Sequence, residues 1–291
     1  MMLEPVDFYA NPQTLATNSY QKDNPQDISQ LEQAARQEFR ALRDTLVENG
    51  IMVTTVRGQK GCPDDIFCNN WVSTHPGGHM VLYPMLAENR RKERRSDLIA
   101  MLGARYQLAL DLSDYERQAR FLESTGALVQ DRVNKKAYIA LSPRTDPDLA
   151  AHWCETMGYT PIMFDTRNHE GIAVYHTDVL MFIGSGYAGI CLESIPDAAQ
   201  REKVRTSLGA THEIIELSLD QLASFCGNAL EVTANDPDAR HLVMSSTAYH
   251  ALSQHQYARL SAHVTSIIHS EIPTIEAYGG GSARCMLLEM F

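Results

Sequence analysis

The sequence predicts an α/β protein assembled from small repeated units, on three observations. Short β-like runs alternate with helical stretches from one end of the 291-residue chain to the other. The succession of strands, helix and strand recurs roughly every 50 to 60 residues, so that about five units fill the length. No low-complexity segment, linker or long charge block interrupts them, which favours one domain over residues 1–291 rather than two.

The elements follow in order from their spacing. Apolar residues at helical intervals predict a helix over Ile28–Glu48, with Asp27 placed to cap it, and a β-branched run then predicts a strand over Ile51–Val56. Gly78–Pro84 predicts a strand and Arg94–Leu102 a helix. Lys136–Leu141 predicts the next strand, and Pro147–Met157 a helix capped by Asp146. A strand is predicted over Val179–Ile183, in a run that begins at Tyr175, and a helix over Ala198–Ser207. Ser218 is a further candidate cap, His241–Ser245 predicts a strand and Ser253–Ser266 a helix.

Composition narrows the function classes. A net charge of −11 repels a nucleic-acid backbone. No apolar run reaches the ~20 residues that span a bilayer, and the first residues lack the basic and apolar segments of a secretory leader, so cytoplasmic residence is the default expectation. Six cysteines, at 62, 68, 154, 191, 226 and 285, show neither a CxxC pair nor zinc-type spacing and read as free thiols. The one basic run, Arg90-Arg91-Lys92-Glu93-Arg94-Arg95, is a solvated face or a carboxylate clamp for a small substrate.

Chemistry concentrates at the C-terminal end. Gly279-Gly280-Gly281-Ser282-Ala283-Arg284-Cys285 gives the backbone freedom to approach a ligand and sets an arginine beside a thiol, which makes Cys285 a candidate nucleophile. In Tyr175-His176-Thr177-Asp178-Val179 the alternation puts His176 and Asp178 on one face of a predicted strand, supplying a proton carrier and a group to orient it. Four more segments are dense in polar residues. They are the loop Asn11–Gln21, which includes Asn18, the stretch Gly61–Pro76, with Asp64, Asn69 and Asn70 around a short apolar strand, Glu123 before the small-residue turn Ser124-Thr125-Gly126, and Arg144 after a strand end.

Together and in this order these segments resemble the guanidine-modifying superfamily, the pentein fold of arginine deiminases, dimethylarginine hydrolases and amidinotransferases. Pro63-Asp64 with Phe67, Glu123 before Thr125-Gly126, Ser142 with Arg144-Thr145, His176 with Asp178, and the terminal Cys285 carry the resemblance over nearly the whole chain. It implies a five-fold pseudosymmetric propeller of ββαβ units around one substrate pocket. Cys285 is then the nucleophile, His176 the general acid/base, Glu123 and Asp178 the carboxylates beside the reacting group, and Asp64 a substrate-binding carboxylate at the pocket rim. The family's deiminases and dimethylarginine hydrolases carry aspartate where this chain has Asn70. Asn69-Asn70-Trp71, Ser73-Thr74-His75-Pro76, the Asn-rich first loop and Asn89-Arg90-Arg91 look most like the bacterial citrulline-utilisation hydrolases, or citrulline ureidases.

That resemblance implies hydrolysis of L-citrulline to L-ornithine, ammonia and carbon dioxide through an S-carbamoyl cysteine, with no metal or organic cofactor. Asn70 and Asn69 would meet the ureido group, Arg144 with an arginine of the basic run, Arg90 among them, would grip the α-carboxylate, and Asn18 and Asp64 the α-amino end. Arginine dihydrolase, arginine deiminase, dimethylarginine hydrolase and amidinotransferase chemistry share the nucleophile and remain open, as does a non-catalytic scaffold. The partner implied is a small amino acid, compatible with a homo-oligomer, with neither nucleic acid nor membrane.

Overall fold

A computed structural model describes residues 1–24, 27–236 and 238–291. Its strands form five small sheets among the described residues. β1 (Met2–Glu4) and β2 (Thr55–Arg57) pair in parallel. The other four sheets share one plan, an antiparallel hairpin and then a helical crossover to a parallel third strand. They are β3 (Val72–His75), β4 (His79–Leu82) and β5 (Gln107–Asp111); β6 (Val129–Asp131), β7 (Lys136–Ala140) and β8 (Thr160–Phe164); β9 (Met181–Ile183), β10 (Tyr187–Ile190) and β11 (Glu213–Glu216); and β12 (Leu230–Thr233), β13 (Arg240–Ser245) and β14 (Ser266–Ser270). The first sheet is completed by the far end of the chain: Leu288 N–H donates to Met1 O at 3.0 Å, and the Met1 amino group donates to Leu288 O at 2.6 Å.

The helices sit where their apolar spacing requires. Ile28–Glu48 crosses from β1 to β2 and buries Leu31, Ala35, Phe39, Leu42 and Leu46, one stripe at intervals of three or four. That stripe joins Ile268 and Ile275 in one core cluster, each large side chain contributing about 1.5–3 kcal/mol by leaving water. Asp27 accepts from the Ser29 and Gln30 amides, Asp146 from Leu149, and Ser218 makes a reciprocal capping box with Gln221, as their positions predict. Among the described residues no helix is long and apolar enough to cross a membrane.

Several predicted elements are corrected. The strand expected over 51–56 forms only from Thr55, and its partner β1 carried no sequence signal. The helix predicted over 253–266 is Gln254–Ser261, because Val264 and Thr265 lead into β14 and the Thr265 amide is taken by Arg240 O. Ile66 and Phe67 are not a strand; they enter a tight turn, Cys68–Asn70, and extended structure starts at Val72. The strand predicted from Tyr175 through Ile183 is interrupted: His176 is extended, Thr177–Leu180 is one helical turn, and only Met181–Ile183 is strand. His176 and Asp178 therefore share no strand face. Thr177 fixes the turn by donating its hydroxyl to Ala127 O and accepting from the Ala140 amide, tertiary contacts that outweigh the local β preference.

The last two corrections have one origin. A tight turn precedes the first strand of each of the four complete units: Cys68–Asn70, Ser124–Ala127, Thr177–Leu180 and residues 225–228. A fifth, Ala283–Met286, precedes the C-terminal segment. The 124–127 turn packs on both 68–70 and 177–180, and 68–70 packs on 283–286. Gly227 brings the fourth turn directly against the backbone of Val179 and Leu180, where a Cβ would lie 2.4 Å from Val179 O. Polar side chains from all five turns thus meet in the middle of the molecule.

Candidate active site

A narrow cavity lies where those turns meet, lined by Asn18, Asp64, Asn70, Arg90, Arg144, Tyr175, His176 and Cys285 among others. Cys285 sits on the 283–286 turn at 2% exposure. Its Sγ accepts from Asn228 Nδ2 at 3.2 Å and faces Asp178 Oδ2 at 3.6 Å. Burial pushes the thiol well up, and the Asp178 carboxylate adds to that, so the resting group is protonated. Arg284, expected to place its charge beside the thiol, turns away: Nη1 donates to Leu287 O at 2.8 Å and Nη2 to Glu289 Oε2 at 3.1 Å, because Glu289 offers it an ion pair.

His176 Nε2 meets Glu123 Oε2 at 2.8 Å. Burial would raise the Glu123 carboxyl, but Arg144, His176 and Arg90 outweigh it and hold Glu123 well below the usual carboxylate range. Burial lowers the His176 ring, so a neutral imidazole donates Nε2–H to an ionised Glu123 and keeps Nδ1 as an acceptor. Nδ1 lies over Gly126, where a Cβ would come within 2.7 Å of it and 2.5 Å of Asn70 Nδ2. Asp178, raised by burial, accepts at Oδ2 from Asn69 Nδ2 at 3.1 Å. Asn69 and Asp178 stand behind the cavity wall, and Asp178 also borders a second, larger cavity with Thr125, Arg132, Arg284 and Glu289.

The remaining polar residues divide by whether their hydrogen bonds are used up. Arg90, predicted to hold a substrate carboxylate, is consumed by the protein. It makes a two-pronged pair with Glu93 at 2.8 and 3.1 Å, donates from Nη2 to Phe67 O at 3.1 Å, and donates from Nη1 to Asn70 Oδ1 at 3.0 Å. Asn70 is therefore fixed in one orientation: its oxygen faces a group that can only donate, so its Nδ2 points the other way and has no partner among the described residues. Arg144 stacks over Tyr175 and donates to Thr17 at 2.9 Å, and its buried Nε is unpartnered among the described residues. Asp64 is a buried wall rather than a rim, 3% exposed; Oδ2 accepts from Asn11 and Oδ1 is unpartnered among the described residues. Asn18 lines the cavity with both ends engaged, donating to Gly280 O at 3.1 Å and accepting from the Tyr20 amide, and so ties the first loop to the glycine segment.

All ten residues singled out from the sequence stand in or directly behind this cavity. Unforeseen were Asn228, at the sulfur, Tyr175, under Arg144, and Asn11, on Asp64. The available signal was position relative to the repeated turns for Asn228 and Tyr175, and the polar first loop for Asn11. The larger basic run is neither a clamp nor a plain solvated face: Arg94 pairs with Glu116 and Arg95 with Asp97.

An α/β fold of hairpin-and-crossover units, with cysteine, histidine and carboxylates on the turns at its centre, defines a pentein. The family model for eukaryotic N,N-dimethylarginine dimethylhydrolase matches residues 4–291, and the chain belongs to that family. Among solved structures it is similar to ArgZ, an arginine dihydrolase of the ornithine-ammonia cycle in cyanobacteria, at 18% identity and a TM-score of 0.77 over 99% of this chain and 40% of that one. The substrate-bound N-terminal domain of ArgZ matches at 17% and 0.75, covering 98% of this chain and 95% of the domain. A dimethylarginine dimethylaminohydrolase carrying an S-methyl-L-thiocitrulline adduct matches at 13% and 0.66 over the whole of both chains. At these identities the likeness is one of fold. The chain thus spans about two fifths of full-length ArgZ. No curated protein sequence matches.

Proposed function

We propose that the protein is a cysteine-dependent hydrolase that cleaves the ureido group of free L-citrulline. A single catalytic domain over residues 1–291, its five units set as a pseudo-five-fold propeller, would carry the activity. The orientation of Asn70 is the observation that supports this reading. Arg90 takes its oxygen, so the cavity receives a donor, and a donor suits the carbonyl oxygen of a ureido group and opposes a guanidinium, which has only N–H groups there. Two more atoms of the lining, unpartnered among the described residues, fit the rest of an amino acid: Asp64 Oδ1 an α-ammonium, and Arg144 Nε an α-carboxylate.

The Cys285 proton passes to His176 Nδ1 and the thiolate attacks the ureido carbon, while Asn70 Nδ2 donates to the oxygen as it gains charge. Collapse of the tetrahedral adduct breaks the bond to the δ-nitrogen. The imidazolium, held by Glu123, protonates that nitrogen, releasing ornithine and leaving S-carbamoyl cysteine. Water then gives a proton to His176 and attacks the carbamoyl carbon; the thiol re-forms, and carbamic acid leaves and decomposes to ammonia and carbon dioxide.

A second reading, hydrolysis of arginine through the same cysteine, is favoured by two further buried acceptors behind the wall, Asn69 Oδ1 and Asp178 Oδ1, unpartnered among the described residues, and by the likeness to ArgZ. Measuring kcat/KM for citrulline and arginine in wild type and Asn70→Asp separates the two. The substitution is expected to lower citrulline turnover roughly ten- to two-hundredfold while sparing arginine. A wild-type preference for arginine, or an unchanged ratio, would replace the ureidase reading with the dihydrolase one. Intact mass of wild type quenched in acid during turnover of citrulline should show a carbamoyl adduct on Cys285.

A further inference from the structure

Asn228 is fully buried and each end of its amide is committed. Its oxygen accepts from the Arg284 amide at 3.0 Å, so the nitrogen must face the other way, where one hydrogen reaches Asp178 O at 2.9 Å and the other reaches Cys285 Sγ at 3.2 Å. The side chain thereby ties the backbone of the nucleophile's turn to the backbone of the Asp178 turn and aims a donor at the sulfur. Among the described residues no cation donates to it: Arg284 points at Glu289, and the Arg144 bonds go to Thr17 and Glu123. The charged and titratable groups around the sulfur are Asp178 on the facing turn, Tyr175 and His176 just before that turn, and Arg284 on its own. A thiolate here meets a carboxylate on one side and low-dielectric protein on the others, which makes a fixed amide donor the main favourable contact from a side chain.

We propose that Asn228 is a catalytic residue, the hydrogen-bond donor that positions the Cys285 sulfur and stabilises it as the thiolate. The inference rests on Cys285 being the nucleophile and is independent of which substrate it attacks. A neutral substrate sharpens the need, since it brings no positive charge of its own to the sulfur.

The test uses no substrate, so its failure is distinct from failure of the ureidase reading. Wild type, Asn228→Ala and Asn228→Asp are alkylated with iodoacetamide across pH 6 to 11, and modification of Cys285 is followed by peptide mass mapping. Asn228→Ala should move the alkylation profile of Cys285 about one to two pH units higher and slow the reaction near pH 8 roughly ten- to a hundredfold. Asn228→Asp keeps the acceptor for Arg284 but sets a carboxylate against sulfur, and should be slower still. A profile that does not move in Asn228→Ala overturns the proposal. Should the variants not fold, the side-chain amide of Asn228 in ¹⁵N-labelled wild type gives the answer: its resonances should shift with the thiol titration and stop doing so in Cys285→Ala, and resonances that ignore the titration overturn it equally.

Discussion

Arg90 and Arg144 line the same cavity, are equally buried, and were both expected to grip a substrate carboxylate, yet their surroundings differ. Around Arg90 the hydrogen bonds close on themselves: Glu93, Phe67 O and Asn70 take its donors, and Glu93 is itself almost completely buried. Around Arg144 the bonds are left open, with a weak contact to Glu123 at 3.5 Å, one hydroxyl, an aromatic face and an Nε unpartnered among the described residues. Saturation is the mark of a residue that builds the wall, and an open donor is the mark of one that meets a ligand. The same contrast runs through the histidines. His75 is held in the core by Ser73, which in turn meets Tyr83, whereas His176 spends one nitrogen on Glu123 and its other lies over Gly126.

The largest effect expected from this contrast is on stability at Arg90. Arg90→Met strands Glu93 and Asp64 without their cation and should cost about 3–5 kcal/mol in urea denaturation, the range for breaking a buried pair. A loss under ~1 kcal/mol would show that the network is not structural. Arg144→Met should leave denaturation within about 1–2 kcal/mol of wild type but lower kcat/KM roughly thirty- to a thousandfold, mainly through KM. Equal damage to stability from the two substitutions would erase the distinction.

A smaller effect lies in the acid limb. Glu123 is held below its unfolded pKa, so its contribution to stability is fully present above the ordinary glutamate value near pH 4.3 and is lost as pH falls toward its folded value. The stability difference between wild type and Glu123→Gln, measured by urea denaturation from pH 6 to 3, should narrow as the pH drops. A difference that stays constant across that window means that the carboxylate is not held ionised by Arg144 and His176.

Local chemistry alone determined much of this protein. Apolar stripes and caps placed Ile28–Glu48 and Pro147–Met157 with the bounds the structure gives them, since a helix three or more turns long advertises its buried face and its ends. Cysteine, histidine and carboxylate types announced a nucleophilic site, and the ten candidate residues do converge. Tertiary structure decided what those residues are free to do. A short turn such as Thr177–Leu180 is fixed by hydrogen bonds to Ala127 and Ala140, 50 and 37 positions away, so no local pattern could distinguish it from a strand. Whether an arginine is spent or open, which way Asn70 points, where Arg284 turns, and that Asn228 reaches the sulfur all depend on partners contributed by other units. Sequence names the donors and acceptors; only the meeting of the five turns determines which of them are left over.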